Sequence, residues 1–104
     1  MNLRAAIHYH DQQITSRSLS KKFGVAEPLT LFAYAKNESV SKEICPNVKL
    51  IQVLEGQLKV STTTNQTLHP NDLITILPKQ AHGLVALTDC KFLQLELQQA
   101  STKK

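Results

Sequence analysis

From Pro28 onward, apolar and polar side chains recur with a period of two, and no helical stripe of useful length interrupts them. Leu29, Leu31, Ala33 and Ala35 interleave with Thr30, Phe32 and Tyr34, which predicts a strand apolar on both faces. Lys36-Asn37-Glu38-Ser39 is the turn that ends it, and Val40 to Cys45 predicts a short strand closed by Pro46-Asn47. Val48 to Glu55 is rich in Val, Leu and Ile, and Gln57 to Thr62 resumes the pattern after Gly56, so a tight hairpin through Glu55-Gly56 is expected. Asn65 reads as a further turn. Pro70-Asn71-Asp72 leads into a strand over Leu73 to Leu77, which Pro78-Lys79-Gln80 breaks. His82 to Leu87 and Cys90 to Leu97 follow, separated by Thr88-Asp89. Seven or eight short strands at this spacing predict an antiparallel sandwich or barrel. Residues 1–27 lack sustained periodicity and are expected to form an arm with one or two short strands.

Composition narrows the class. At 104 residues the chain holds one core and has no room for a second. The net charge of +4 comes from 12 Lys+Arg against 8 Asp+Glu, but the cations are scattered and the two tyrosines and three phenylalanines do not interleave with them. That is not the dense basic stripe with stacking aromatics that nucleic-acid binders use, so no nucleic-acid partner is expected. Apolar runs are too short to span a bilayer, and His8, His10 and Asp11 arrive before any leader-like apolar stretch develops. A cytoplasmic protein with no membrane partner is the expectation, with Cys45 and Cys90 as reduced thiols. There is no Cys-x-x-Cys, no Gly-x-Ser-x-Gly elbow and no phosphate-cradling loop, since Gly24, Gly56 and Gly83 stand alone.

Three segments go beyond patterning. Val48-Lys-Leu-Ile-Gln-Val-Leu-Glu-Gly56-Gln-Leu-Lys-Val60 resembles the first cupin motif, a strand running into a glycine turn and back. Leu68-His-Pro-Asn-Asp-Leu-Ile-Thr-Ile-Leu-Pro78-Lys-Gln-Ala-His82-Gly83 resembles the second, and Val85 to Leu93 is similar to the closing strands of small single-domain cupins. The resemblance covers roughly residues 26–98. It implies an all-β fold, the antiparallel double-stranded β-helix or jelly-roll barrel, over residues 28–98; outside it, 1–27 read as a short N-terminal arm from their missing periodicity and 99–104 as a disordered polar tail from their composition. It also implies a homodimer to which the arm contributes, because strands apolar on both faces need cover on their outer side.

The metal-binding pattern of that family is incomplete here. Counting back from Gly56, the carboxylate position falls on Lys49, the two histidine positions fall on Glu43 and Cys45, and the last ligand position falls on His82. If the alignment holds, Glu43 and Cys45 share a strand face and look inward with Lys49 and His82. An inward ammonium raises the cost of placing a cation beside it, and a protonated lysine offers no lone pair. Lys49 paired with Glu43 then replaces the metal's charge, which requires that both ends be well hydrogen-bonded. The leading expectation is a small-molecule-binding barrel without a cofactor, its ligand held by Glu43, Cys45, Lys49, Gln52 and His82. The alternative is a metal-dependent enzyme of dioxygenase or isomerase type, with Glu43, Cys45 and His82 holding iron, zinc, nickel or manganese and one position open. Cys45 becomes a reactive thiol if Lys49 or His82 lowers its pKa, and otherwise fills space. His8 and His10 on the arm, His69 beside a turn and Cys90 before a strand are read as structural or solvated residues.

Overall fold

The computed structural model describes residues 1–99. The tail expected from residue 99 onward lies, from residue 100, outside the described residues. Nine strands form two antiparallel sheets facing each other across one core: β1 (Ile14–Ser18), β2 (Leu29–Tyr34), β3 (Ser39–Glu43), β4 (Val48–Glu55), β5 (Leu58–Ser61), β6 (Asn65–Leu68), β7 (Leu73–Ile76), β8 (His82–Ala86) and β9 (Cys90–Leu97). The larger sheet runs β1-β2-β9-β4-β7 and the smaller runs β3-β8-β5-β6. The two sheets remain separate, so the expected barrel is an open, two-layered one rather than a closed cylinder.

Consecutive strands change sheets at Gly56, which overturns the expected β4–β5 hairpin. β4 pairs with β7 on one edge and β9 on the other, while β5 pairs with β6 and β8. A strand has two hydrogen-bonding edges; both edges of β4 are taken by distant partners, leaving none for β5. Gly56 makes the corner possible. Its φ is +80°, and a Cβ there would lie 2.0 Å from the Asp89 carbonyl oxygen. The corner is tied to the β8–β9 turn by Leu87 N–H donating to Gln57 O (3.0 Å) and Gln57 N–H donating to Thr88 Oγ1 (3.1 Å). The turn placed at Asn65 also moves. Thr62–Thr64 makes it, closed by Thr62 N–H donating to Thr64 O (2.8 Å), and Asn65 opens β6.

Register sorts the larger sheet into two faces. Tyr34, Phe32, Lys49, Ile51, Val53, Ile74, Ile76, Phe92, Gln94 and Glu96 occupy the inner register positions. There Phe32 stacks on Phe92 with centroids 5.1 Å apart, and Tyr34 tilts against the same ring, also at 5.1 Å. The smaller sheet closes this core with Leu58, Val60, Leu68, Leu84 and Ala86. The outer face is apolar as well. Residues 1–27 supply β1 and a helical turn, α1 (Ser20–Phe23), and Ile7 and Leu19 bury Leu31 and Ala33 on the outer side of β2. Lys91 on β9 holds the arm down: its Nζ donates to Arg4 O, lies 3.9 Å from Glu55 Oε2 and sits over the Tyr9 ring. Tyr9 donates in turn to Glu55 Oε2 at 2.5 Å. No helix among the described residues is long and apolar enough to cross a membrane.

Candidate functional site

The inner face carries one polar cluster, and it joins the two sheets. Lys49 sits in β4 among Ile51 and Val53 and is 6% exposed. Its Nζ is 3.2 Å from Glu43 Oε1 and 3.2 Å from His82 Nε2, both on the smaller sheet. His82 is 1% exposed, on the face of β8 that also presents Leu84 and Ala86. Its Nδ1 lies 3.2 Å from the Gln80 carbonyl oxygen, which can only accept. Nδ1 therefore carries the ring proton, and Nε2 offers its lone pair to the Lys49 ammonium. The result is one directional chain. Lys49 donates to Glu43 and to neutral His82, and His82 donates to Gln80 O. Two of the three ammonium hydrogens are used.

Glu43 reaches this position through an irregularity. Val40 opposes Leu84 and Glu43 opposes His82, so three steps on β3 match two on β8. In a regular strand, residues three apart face opposite sides; the extra residue returns Glu43 to the inner side occupied by Val40. Its side chain remains 59% exposed, which sets the cluster at the rim of the sandwich rather than in its centre.

Of the five residues expected to line the site, four gather here. Cys45 follows β3, half-buried, and its thiol donates to Glu96 Oε1 at 3.4 Å. Glu96 is the cross-strand neighbour of Lys49, so Cys45 and the Lys49 cluster are adjacent without sharing a hydrogen bond. The fifth is misplaced: Gln52 lies on the outer face. It pairs with Leu73 and Leu93 and lines an outer cleft with Leu29, Leu50 and Leu95. The reason is parity, since Lys49 and Gln52 are three residues apart on a regular strand. Two further residues escaped the sequence reading. Glu96 shares the inner face with Phe92 and Gln94, and Tyr34 shares it with Phe32. Alternation with a phenylalanine was the available signal for both. Burial pushes the Tyr34 hydroxyl up to about 12, helped by the nearby charge of Glu43.

The donor set does not fit a metal ion. Among the described residues no three His, Cys, Asp or Glu side chains converge. Lys49 Nζ stands between Glu43 and His82, where a cation held by both would have to sit, and the Cys45 thiol is directed to Glu96 instead. His69 lies at the surface, its Nδ1 3.7 Å from Asp72 Oδ2. Cys90 is fully buried, and that burial pushes its thiol up to about 12.

No family model matches the chain, and no curated protein matches its sequence. Solved structures do. A cupin superfamily protein from Desulfitobacterium hafniense superposes with a TM-score of 0.84 at 23% identity, over 95% of this chain and 90% of that one. A conserved protein of unknown function from Streptococcus pyogenes gives 0.85 at 16% identity, over 97% and 88%. A cupin 2 conserved barrel domain protein from Leptotrichia buccalis gives 0.85 at 22% identity, over 94% of this chain and 47% of that one. At these identities the likeness concerns architecture, and it agrees with the order of sheets and strands described above: the chain has the cupin fold.

Proposed function

We propose that the chain is a small-molecule-binding protein that works without a metal, with its ligand held at the rim between the sheets by Lys49, Glu43, His82 and Cys45. The observation that carries this reading is the buried Lys49 ammonium, 3.2 Å from both Glu43 Oε1 and His82 Nε2. A lysine taken this far out of water is tolerable only with partners on its hydrogens, and the cluster supplies two. The third hydrogen is available to a carbonyl, hydroxyl or carboxylate oxygen of a ligand. Glu43, more than half exposed, is placed to accept from a ligand hydroxyl or amine beside it. The ligand class that suits this arrangement is a small polar organic molecule with an oxygen acceptor next to a donor. The same reading has the chain acting as a homodimer, because β2, β4 and β9 carry apolar side chains on both faces and the arm covers only part of the outer one.

Two measurements test the site. Metal content by mass spectrometry, on protein purified without chelator and again after added iron or zinc, should stay far below one ion per chain. Near-stoichiometric metal that disappears in Cys45→Ala and His82→Ala would sink the reading in favour of a metal-dependent enzyme. In a thermal-shift screen of small hydroxy-carbonyl and hydroxy-acid compounds, a ligand at about a hundred times its Kd adds about 2.7 kcal/mol of stability. Wild type should respond and Lys49→Met, which keeps the volume and loses the donor, should not. An equal response in both would remove Lys49 from the ligand site.

A further inference from the structure

We infer that Tyr34 and Gln94 are further ligand contacts, which bind the ring hydroxyl of an aromatic hydroxy acid whose carboxylate meets Lys49; this rests on the ligand site proposed above and names its ligand class. Both residues occupy inner positions of the larger sheet, Tyr34 on β2 and Gln94 on β9. Tyr34 is 3% exposed and Gln94 is 9% exposed. Among the described residues, neither the hydroxyl nor the amide has a hydrogen-bond partner within the chain. Every side-chain nitrogen or oxygen there that is cut off from solvent does have one. The two groups therefore border space that a ligand can enter. A polar group taken this far out of water without a partner weakens the fold, so two of them on one inner face point to a partner from outside the chain.

Burial and chemistry together choose the ligand. Ile51, Val53 and Phe92 are fully buried, whereas Thr30 and Phe32 on β2 and Val40 on β3 keep part of their surface exposed, so the inner face is open on this side. β3 is an edge strand of the smaller sheet and carries Glu43, whose charge acts on the Tyr34 hydroxyl. Phe32 supplies an aromatic wall there. Its ring stacks on Phe92 (centroids 5.1 Å apart) and meets Tyr34 edge-on (5.9 Å), a surface that suits a flat ring. The third hydrogen of Lys49 takes the carboxylate. The Tyr34 hydroxyl stays protonated at neutral pH, so it donates as well as accepts, as the Gln94 amide does. A ligand hydroxyl has the same two capabilities. A second ligand carboxylate would instead face Glu43 and Glu96, which lies two residues beyond Gln94 on the same inner face, and a bare ring would leave both groups unsatisfied.

Two measurements on the full chain test this. In the free protein, Tyr34→Phe and Gln94→Met remove the polar groups at nearly constant volume, and the thermal midpoint of each variant should hold or rise. A fall of about 5 °C or more, the size expected for losing one hydrogen bond, means that the group is satisfied within the fold and overturns its role as a ligand contact. Calorimetric titration with the three monohydroxybenzoates, benzoate and lactate then separates the contacts. Wild type should bind the best hydroxybenzoate isomer at least about tenfold more tightly than benzoate or lactate. Tyr34→Phe and Gln94→Met should each cut that preference over benzoate severalfold while benzoate binding itself holds, and Lys49→Met should weaken all the aromatic acids alike. A preference that survives in both variants overturns the roles of Tyr34 and Gln94 while the Lys49 site stands. Lactate bound as tightly as the best isomer, or no aromatic acid bound by wild type at about 10 mM, overturns the ligand class. Binding that Lys49→Met leaves unchanged overturns the underlying site as well.

Discussion

At the scale of single residues, the buried titratable groups divide into those with partners and those without. Lys49 and His82 satisfy each other, and each has a further oxygen to bond. Cys90 and Tyr34 are held neutral by burial, so each thiol or hydroxyl stays protonated in the fold well above its usual range. The sign follows from linkage. Below the unfolded value near 9.0 for the thiol both states are protonated and nothing changes. Above it the unfolded chain ionises while the folded one does not, so stability should fall as the pH rises from about 9 towards about 12. Denaturant titrations across that window should show the loss, and Cys90→Ala together with Tyr34→Phe should flatten it. A wild-type profile level to pH 12 would contradict the burial argument. Alkylation at neutral pH should mark half-buried Cys45 and leave Cys90 untouched until denaturant is added.

At the scale of elements, corners and irregularities position the site more than the strands do. β4 and β5 were legible from the alternation of Val48 to Glu55 and Leu58 to Ser61, but their pairing was not. Local signals at Glu55-Gly56 fit a hairpin and a corner equally well, and the competition is decided by β7 and β9, distant in the chain. Gly56→Ala tests the corner. The new Cβ meets a backbone oxygen at 2.0 Å, where no side chain can move aside, and φ is +80°. Strain and overpacking each contribute roughly 1–3 kcal/mol, so a loss of about 2–6 kcal/mol is expected in chemical denaturation. A loss under about 1 kcal/mol would mean that the corner rearranges freely. The extra residue in β3 matters in the same way, because it turns Glu43 inward to meet Lys49. Nothing in Ser39 to Glu43 announces it; it exists only relative to the register of β8.

At the scale of the whole molecule, a two-layer sandwich uses one face of each sheet for the core, and the arm covers part of the outer side of the larger sheet. The arm's hold is specific: Ile7 and Leu19 fill the space over Leu31 and Ala33, and Lys91 ties Arg4, Glu55 and Tyr9 together. The topology has a kinetic consequence as well. β2 pairs with β9, bringing Leu29 opposite Leu95, and β3 pairs with β8, so long loops must close before these pairings form. Refolding in stopped flow should therefore show a main unimolecular phase of milliseconds to seconds. Completion within microseconds would be incompatible with these strand pairings forming at the rate-limiting step.

The alternation of side chains, by itself, determined that this chain is all-β, where most strands begin and end, and that the sheet has two apolar faces. Motif order was enough to anticipate the cupin arrangement and to bring Glu43, Cys45, Lys49 and His82 forward as one group. These properties are carried by residues close together in sequence, where a period of two or a turn residue has a local physical cause. Only the tertiary structure decided that β4 and β5 belong to different sheets, that Gln52 faces outward, that Glu96 and Tyr34 belong to the inner face, and that Lys49 stands between Glu43 and His82. Each of these depends on register between strands tens of residues apart. A one-residue shift in register reverses a side chain's facing without changing a letter of the sequence.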